Sequence, residues 1–271
     1  MLMPKAWWQL PFAGALVLHA KFFNQCQLCQ LNHCQPLSID NVKHRNNSHW
    51  FNRLQFLCVD CHQRILWQQS VFSINTDFAS GAAHPVIQGI ASSFYDYPLN
   101  HAMTEFKNHH ELRKLMVLVH AIRQLDLPHG CHAQNSAIVI VPTTKQRLIE
   151  RGFNPLFMLT LYLSFHWQIP IFTQIKREER HHQQGLSRTQ RLDNVKNAFY
   201  VTTMPQVKNP RIKNLILFDD VVTTGATLQA VLESLFNQIK PSANASPYPY
   251  QIHARAILHG RLGFDKKMMI L

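Results

Sequence analysis

Short apolar runs alternate with stretches of helical periodicity along most of the chain after residue 90. The runs have the length and composition of buried strands, and polar residues bound them. Strands are predicted at 90–97, 137–141, 169–174, 215–218 and 251–258. Helices are predicted at 101–125, 155–166 and 226–240. This alternation is typical of an α/β fold in which helices on right-handed crossovers flank a parallel sheet.

Residues 1–70 follow a different pattern. An apolar stretch at 7–19 predicts a helix packed on the body of the protein, because it is too short to span a bilayer and no secretory cleavage site follows it. Residues 71–89 are rich in Ser, Gly, Ala and Pro and are predicted as a linker or an excursion at the sheet edge. The expected organisation is an N-terminal unit at 1–70 and an α/β domain at 90–271, with no membrane span.

The charge of the chain points to anionic partners. Lys and Arg total 27 against 15 acidic residues, which gives a net charge of +12 over 271 residues. A basic excess of this size favours polyanions through counterion release, and nucleic acid is the first candidate. A site that must hold a highly charged pyrophosphate would also explain part of the excess, so both interpretations stay open.

Four cysteines have the spacing of metal ligands. Cys26 and Cys29 form one C-x2-C pair, and Cys58 and Cys61 form a second. Two such pairs bind one Zn²⁺ tetrahedrally, and four thiolates leave no open position, so the predicted zinc is structural. Neighbouring residues could replace one of the four: His33, Cys34 and His62. Free buried cysteines or a redox pair are the alternatives. Metal-type spacing instead of a disulfide framework favours the cytoplasm.

The segment 215–228, LILFDDVVTTGATL, joins an apolar strand to a helix through two acids and a Thr/Gly loop. Asp219 and Asp220 follow the strand, where open α/β sheets bind ligands. The loop at 223–227 can offer hydroxyls and backbone N–H groups to a phosphate at a helix N-terminus. Acids beside a phosphate cradle suit a sugar phosphate. An acidic turn that binds nothing is the alternative, and the Walker A and dinucleotide patterns are absent.

Basic side chains recur in three further segments. Lys145 and Arg147 follow the predicted strand at 137–141, and Arg151 precedes the helix at 155–166. Arg151 could reach a phosphate or hold its loop by a salt bridge. The polar stretch 176–194 carries more arginines, the residue that suits bidentate phosphate contacts: Arg177, Arg180, Arg188 and Arg191. This stretch is predicted as a lid over the site or a contact to DNA, and a solvated loop is the alternative.

The segment 215–228 resembles the phosphoribosyl-pyrophosphate (PRPP) motif of type I phosphoribosyltransferases. The resemblance implies a parallel sheet with flanking helices like theirs, with PRPP and Mg²⁺ bound at the acids and Thr loop. It also implies pyrophosphate at the loop after 137–141. Asp219 and Asp220 take the catalytic role in this interpretation. The residues assigned to PRPP binding are Lys145, Arg151, Asp219, Asp220, Val222, Thr223, Thr224, Gly225, Ala226 and Thr227.

More of the chain resembles the ComF family. The resemblance rests on the four-cysteine module, Phe106-Lys107, RGFNP at 151–155, the spaced residues Gln183, Leu186, Arg191 and Asn194, Ala198-Phe199, and VVTTGAT. It implies a phosphoribosyltransferase-like domain with a zinc finger and a role in DNA uptake during natural transformation. Single-stranded DNA and proteins of the competence machinery are the implied partners. An active phosphoribosyltransferase with an unidentified nitrogen acceptor is the alternative, and a transcriptional regulator is a weaker third.

Overall fold

The structure is a computed structural model that describes residues 14, 24–34, 55–67, 70–74, 86–178, 198–204, 209–237 and 250–260. Its helices are α1 (Val59–Gln63), α2 (Leu99–Asn108), α3 (Lys114–Ile122), α4 (Lys145–Arg151), α5 (Pro155–Trp167) and α6 (Ala226–Phe236). Its strands are β1 (Ser70–Ile74), β2 (Ile87–Phe94), β3 (Ser136–Ile140), β4 (Ile171–Phe172), β5 (Ile175–Arg177), β6 (Phe199–Val201), β7 (Asn214–Val222) and β8 (Gln251–His259).

Six strands form the central sheet in the order β1-β2-β8-β7-β3-β4. All neighbours are parallel except β1, which runs antiparallel to β2 at the edge. The remaining strands, β5 and β6, form a separate antiparallel pair. The predicted α/β class and the mostly parallel sheet with flanking helices are confirmed.

The strand order reverses between β3 and β7. The chain continues from β3 through α5 to β4 on one side, and from β7 through α6 to β8 on the other. Right-handed crossovers in opposite directions place α5 and α6 on opposite faces of the sheet. Ligands of open α/β sheets bind in the crevice at such a reversal, outside the carboxyl ends of the strands.

The predicted helix at 101–125 is wrong in its continuity, because the chain forms α2 and α3 with a break at 109–113. His110 has a left-handed φ of 58° there, and Leu112, which a continuous helix at 101–125 would place on the apolar face, is 58% exposed. The polar run across the break lets each helix bury its own face. In α2 this face has helical spacing: Leu99, Ala102, Met103 and Phe106.

Three predicted strands have bounds that differ by more than one residue in the structure, and β1 was not predicted; the strand predicted at 90–97 lies at Ile87–Phe94. Ser70–Ile74, within and beside the segment predicted as a linker or edge excursion, forms the edge strand β1. The predicted strand at 169–174 shortens to Ile171–Phe172, because the chain then leaves the sheet to form β5. The strand predicted at 215–218 extends to Val222, because its pairing with β8 continues as far as His259.

The cysteine-bearing unit packs on α3 and shares the apolar core of the sheet. Phe56 is fully buried, with the Arg123 guanidinium 5.2 Å from the centre of its ring. The His62 and His120 rings are joined by a hydrogen bond of 2.9 Å between Nδ1 and Nε2. The apolar stretch at 7–19 lies outside the described residues except for Gly14. Within the part of the chain that is described, no helix is long and apolar enough to cross a bilayer.

Candidate functional site

A crevice opens where β7 extends past β3. Pairing between these strands ends at Ile140 and Phe218, whereas pairing of β7 with β8 continues through Asp219 to Val222. The last four residues of β7 therefore have a strand neighbour on one side only. On the side of β3, a cavity of about 250 Å³ lies beside this exposed strand end. Its lining residues come from several separate segments of the chain: Lys107, 141–143, Arg147, Arg151, 154–156, Arg177, 219–221 and Thr227.

An acid pair and one lysine form the floor of this cavity. Asp220 is buried, and its Oδ1 lies 2.6 Å from the Nζ of Lys107. The backbone N–H of Asp220 donates to Oδ1 of Asp219 at 2.9 Å. Lys107 was named at the sequence level only as part of a family motif and was not assigned to the site. Its role could not be read from spacing, because 112 residues separate it from the acids it meets.

The environment of Asp219 disfavours its charged form. Burial, followed by the charge of Asp220, raises the pKa of Asp219 to about 7, against the opposing effects of Lys107 and the Asp220 N–H. A carboxyl with a pKa near neutrality exchanges protons under physiological conditions, which is common at functional sites and rare on ordinary surfaces.

We expect Asp219→Asn to remove a pH-dependent cost to folding. The folded pKa of Asp219 is about 7, and a carboxyl in the unfolded chain has a pKa near 3.9. Between these values the native state binds a proton that the unfolded state lacks, so this group lowers the free energy of unfolding as pH rises from about 4 to about 7. Chemical denaturation at pH 5 and pH 8 measures the effect. The variant should gain stability relative to wild type at pH 8, and an equal difference at both values would contradict the assignment.

The loop after β7 turns sharply into α6. Gly225 has a φ of +75°, and a Cβ at this position would lie 3.2 Å from the carbonyl oxygen of Ser73. The left-handed conformation therefore favours glycine, and the close approach of the Ser73 carbonyl leaves little room for a side chain. The Thr224 hydroxyl accepts from the Ala226 N–H at 3.4 Å. Thr223 and Thr224 are exposed, while Thr227, in the first turn of α6, lines the cavity. Val222 is buried and, like residues 223–226, does not line the cavity.

Three arginines also line the cavity. Arg147 and Arg151 lie on α4, whose first turn is capped by the Thr144 hydroxyl accepting from the Arg147 N–H at 3.3 Å. Arg177 stacks on Phe199, with 5.4 Å between its guanidinium and the ring centre. Burial and then the charge of Arg147 lower the pKa of Arg177. Two cations that repel across a cavity are stabilised by an anion between them.

Lys145, predicted to bind pyrophosphate, is exposed at the start of α4 and does not line the cavity. The predicted basic turn is a helix here, and its period places Arg147 and Arg151, four residues apart, on the side of the site. Among the arginines of 176–194, only Arg177 is described. Arg180, Arg188 and Arg191 lie outside the described residues.

The walls of the site are joined by contacts between α2 and the turn at 152–154. Phe106 is fully buried and packs edge-to-face on Phe153, with ring centres 5.4 Å apart. The Arg151 guanidinium donates to the side-chain oxygen of Asn108 at 3.4 Å. Asn154 caps α5 by accepting from the Phe157 N–H at 3.1 Å, as its position before Pro155 predicts. These contacts hold Lys107 and Arg151 at neighbouring positions of the cavity wall.

The four predicted zinc ligands converge. The sulfur atoms of Cys26, Cys29, Cys58 and Cys61 all lie within 4.8 Å of one another, and those of Cys29 and Cys58 are 3.9 Å apart. Tetrahedral zinc with bonds of about 2.3 Å requires sulfur separations of about 3.8 Å. The cluster therefore fits a metal ion such as zinc.

The surroundings act differently on two of the ligands: burial and then hydrogen bonds with the other cysteines raise the pKa of Cys61, whereas hydrogen bonds from the backbone favour the thiolate of Cys29. Backbone N–H groups of Asn32 and then Leu31 lower the pKa of Cys29 to about 6. Cys34 is buried beside the cluster but outside the set of four, and burial followed by the charges of its cysteine neighbours raises its pKa to about 12. His62 bonds His120 through Nδ1, and His33 is exposed in a β-bridge with Gln25. The four-cysteine prediction is the one that the geometry supports.

Comparison with known proteins finds one clear similarity. Competence protein F of Haemophilus influenzae is 36% identical over 115 residues. The match covers 41% of this chain and 46% of the relative, so the chain spans less than half the length of the curated relative it matches. No protein-family model matches the chain. The similarity to a competence protein agrees with the family resemblance of the chain's motifs.

Proposed function

We propose that this protein is a ComF-like competence protein whose cavity binds PRPP. One observation carries the proposal: an acid pair, the N-terminal turn of a helix and three arginines converge on one cavity at the reversal of strand order. PRPP carries a pentose with free hydroxyls, a 5′-phosphate and a diphosphate. The acid pair suits the hydroxyls, the N-terminal turn of the helix suits the 5′-phosphate, and the arginines suit the diphosphate.

Each wall has a proposed role. Asp219 and Asp220 accept hydrogen bonds from the ribose hydroxyls, and residues 223–227 with the N-terminus of α6 hold the 5′-phosphate. Arg147, Arg151 and Arg177 face the diphosphate. The acid pair offers the oxygen ligands that Mg²⁺ prefers, so the residues fit a Mg²⁺ ion that enters with the diphosphate and neutralises its charge.

The setting of this binding is proposed to be DNA uptake. Similarity to a competence protein supports it, as does the net charge of +12, which suits single-stranded DNA. In this proposal the protein acts in the cytoplasm on internalised single strands, beside other proteins of the competence machinery. Zinc in the four-cysteine cluster is structural, because four thiolates close its coordination sphere.

An active phosphoribosyltransferase is the second candidate. Asp219, with a pKa near 7 beside Asp220, could stabilise positive charge on the ribose as pyrophosphate leaves. The acceptor nitrogen is not identified by any residue of the cavity. Pyrophosphate release across a panel of nucleobases separates the candidates: release with any base supports transfer. PRPP binding without release, together with DNA affinity that falls steeply with salt, supports a binding role.

We expect Arg147→Gln to weaken PRPP binding about tenfold to a hundredfold. A hydrogen bond to a charged group contributes about 1.5–3 kcal/mol, and each 1.4 kcal/mol is a factor of ten. Lys145→Gln is the matched control, since it removes the same charge from the same helix outside the cavity. Calorimetric titration with PRPP and Mg²⁺ measures both. Equal losses in the two variants would show that only the general basic field matters.

A further inference from the structure

Lys107 occupies the place on the acid pair that a free cation would take. It lies in the last turn of α2, and its Nζ is 2.6 Å from Oδ1 of Asp220. The side chains of Lys107 and Asp220 are 20% and 12% exposed, so water screens this pair only weakly. The ammonium also acts on Asp219, where it opposes the effect of the second carboxylate.

Two adjacent carboxylates at a cavity floor are good ligands for hard divalent cations. Without a neighbouring positive charge, these carboxylates would bind Mg²⁺ or Mn²⁺ from solution. Within the described part of the chain, none of the three arginines that line the cavity forms an ion pair with these acids, and Arg151 instead bonds Asn108 while Arg177 stacks on Phe199. Among the residues that the structure describes, Lys107 is the cation in direct contact with the pair, through Asp220.

The position of Lys107 is held by the packing around it. The preceding residue, Phe106, is fully buried against Phe153, and the following residue, Asn108, accepts from Arg151. The backbone of Lys107 is thus fixed on both sides, while its long side chain leaves the ammonium free to pivot. A compact point charge of this kind can neutralise one carboxylate and still yield to a stronger ligand.

We propose that Lys107 is a tethered counter-ion that keeps free divalent cations off Asp219 and Asp220. A metal ion then enters the site only as a complex with an anionic ligand. The phosphates of that ligand replace Asp220 as the ion-pair partner of the Lys107 ammonium. This second step rests on the proposed function, with the diphosphate of PRPP as the anion. The first step concerns the metal alone and stands independently of it. Lys107 is a specificity-determining residue in this account, which selects the metal–diphosphate complex over the bare ion.

The test is a titration of Mn²⁺ alone, followed by its paramagnetic resonance signal, into wild type, Lys107→Met and Lys107→Arg. Zinc-loaded full-length protein is used, with PRPP absent. We expect Lys107→Met to bind one Mn²⁺ at least tenfold more tightly than wild type, and Lys107→Arg to bind as weakly as wild type. Adding Asp220→Asn to Lys107→Met should abolish the gain, which assigns the new site to the acid pair.

The opposite outcomes are equally clear. Lys107→Met with unchanged Mn²⁺ affinity overturns the proposal, as does a gain that persists when Asp220→Asn is added. Lys107→Gln, which keeps a polar side chain, repeats the test if the methionine variant does not fold. Failure of wild type to bind PRPP would remove the proposed function and leave the Mn²⁺ result standing. PRPP binding by wild type, together with unchanged Mn²⁺ affinity in the variants, would overturn the role of Lys107 and leave the proposed function standing.

Discussion

Replacing Cys58 with serine is expected to release the metal and to lower the free energy of unfolding by several kcal/mol. Cys58 is buried, precedes α1 and lies 3.9 Å from the sulfur of Cys29. Zinc binding to four-ligand folding units is worth about 10–16 kcal/mol in isolated peptides. Loss of one thiolate removes much of that stabilisation. The small unit has too little core of its own to stay folded without it.

The effect should spread beyond the cysteine cluster, because the unit covers α3. Unfolding it would expose Phe56 beside Arg123 and break the hydrogen bond between His62 and His120. Zinc content per chain and denaturant midpoint measure the outcome. Cys34→Ala is the matched control, since Cys34 is buried in the same unit but is not one of the four. Zinc lost from the control, or kept at full content by the serine variant, would overturn the ligand assignment.

Phe106→Ala is expected to cost about 3–5 kcal/mol of stability, the usual range for removing a fully buried aromatic ring. Phe106 is fully buried and packs on Phe153 across the joint between α2 and the turn before α5. The cavity left behind would also loosen Lys107 and the Asn108–Arg151 contact. We therefore expect weaker PRPP binding at temperatures where the variant is still folded.

Leu112→Ala provides the control for this loss. Leu112 was assigned to the same apolar face by its spacing, but it is 58% exposed in the break between α2 and α3. Its replacement should change stability by less than about 0.5 kcal/mol. Urea denaturation of both variants compares them directly. A large loss for Leu112→Ala would mean that α2 and α3 form the continuous helix that periodicity predicts.

Much of the fold could be predicted from local pattern. Short apolar runs predict the buried parallel strands β3, β7 and β8, and the pattern of 155–166 predicts α5, which begins at Pro155. Periodicity failed between α2 and α3, because 101–125 keeps apolar residues in helical register across a backbone that turns at His110. It also failed at β1, whose five residues pair only at a sheet edge and carry a weak pattern.

The part of the site that lies within one continuous segment of the chain could be predicted. The acids and the Thr/Gly loop lie within nine residues of one another, so their spacing shows their proximity. Lys107 and Arg147 reach the same cavity from α2 and α4, and only the tertiary fold brings them there. Arg147 lines the cavity and Lys145 does not, because residues 145–151 form a helix where a turn was expected. The cysteine ligands were predictable because each pair is local.

The most direct test of the central claim is calorimetric titration of PRPP, with Mg²⁺ present, into wild type and Asp219→Asn/Asp220→Asn. Asparagine keeps the shape of the acids and removes their charge, so the comparison isolates the carboxylates. We expect one PRPP bound per chain in wild type and at least a hundredfold weaker binding in the variant. No PRPP binding by folded, zinc-loaded wild type, or equal binding by both proteins, would contradict it.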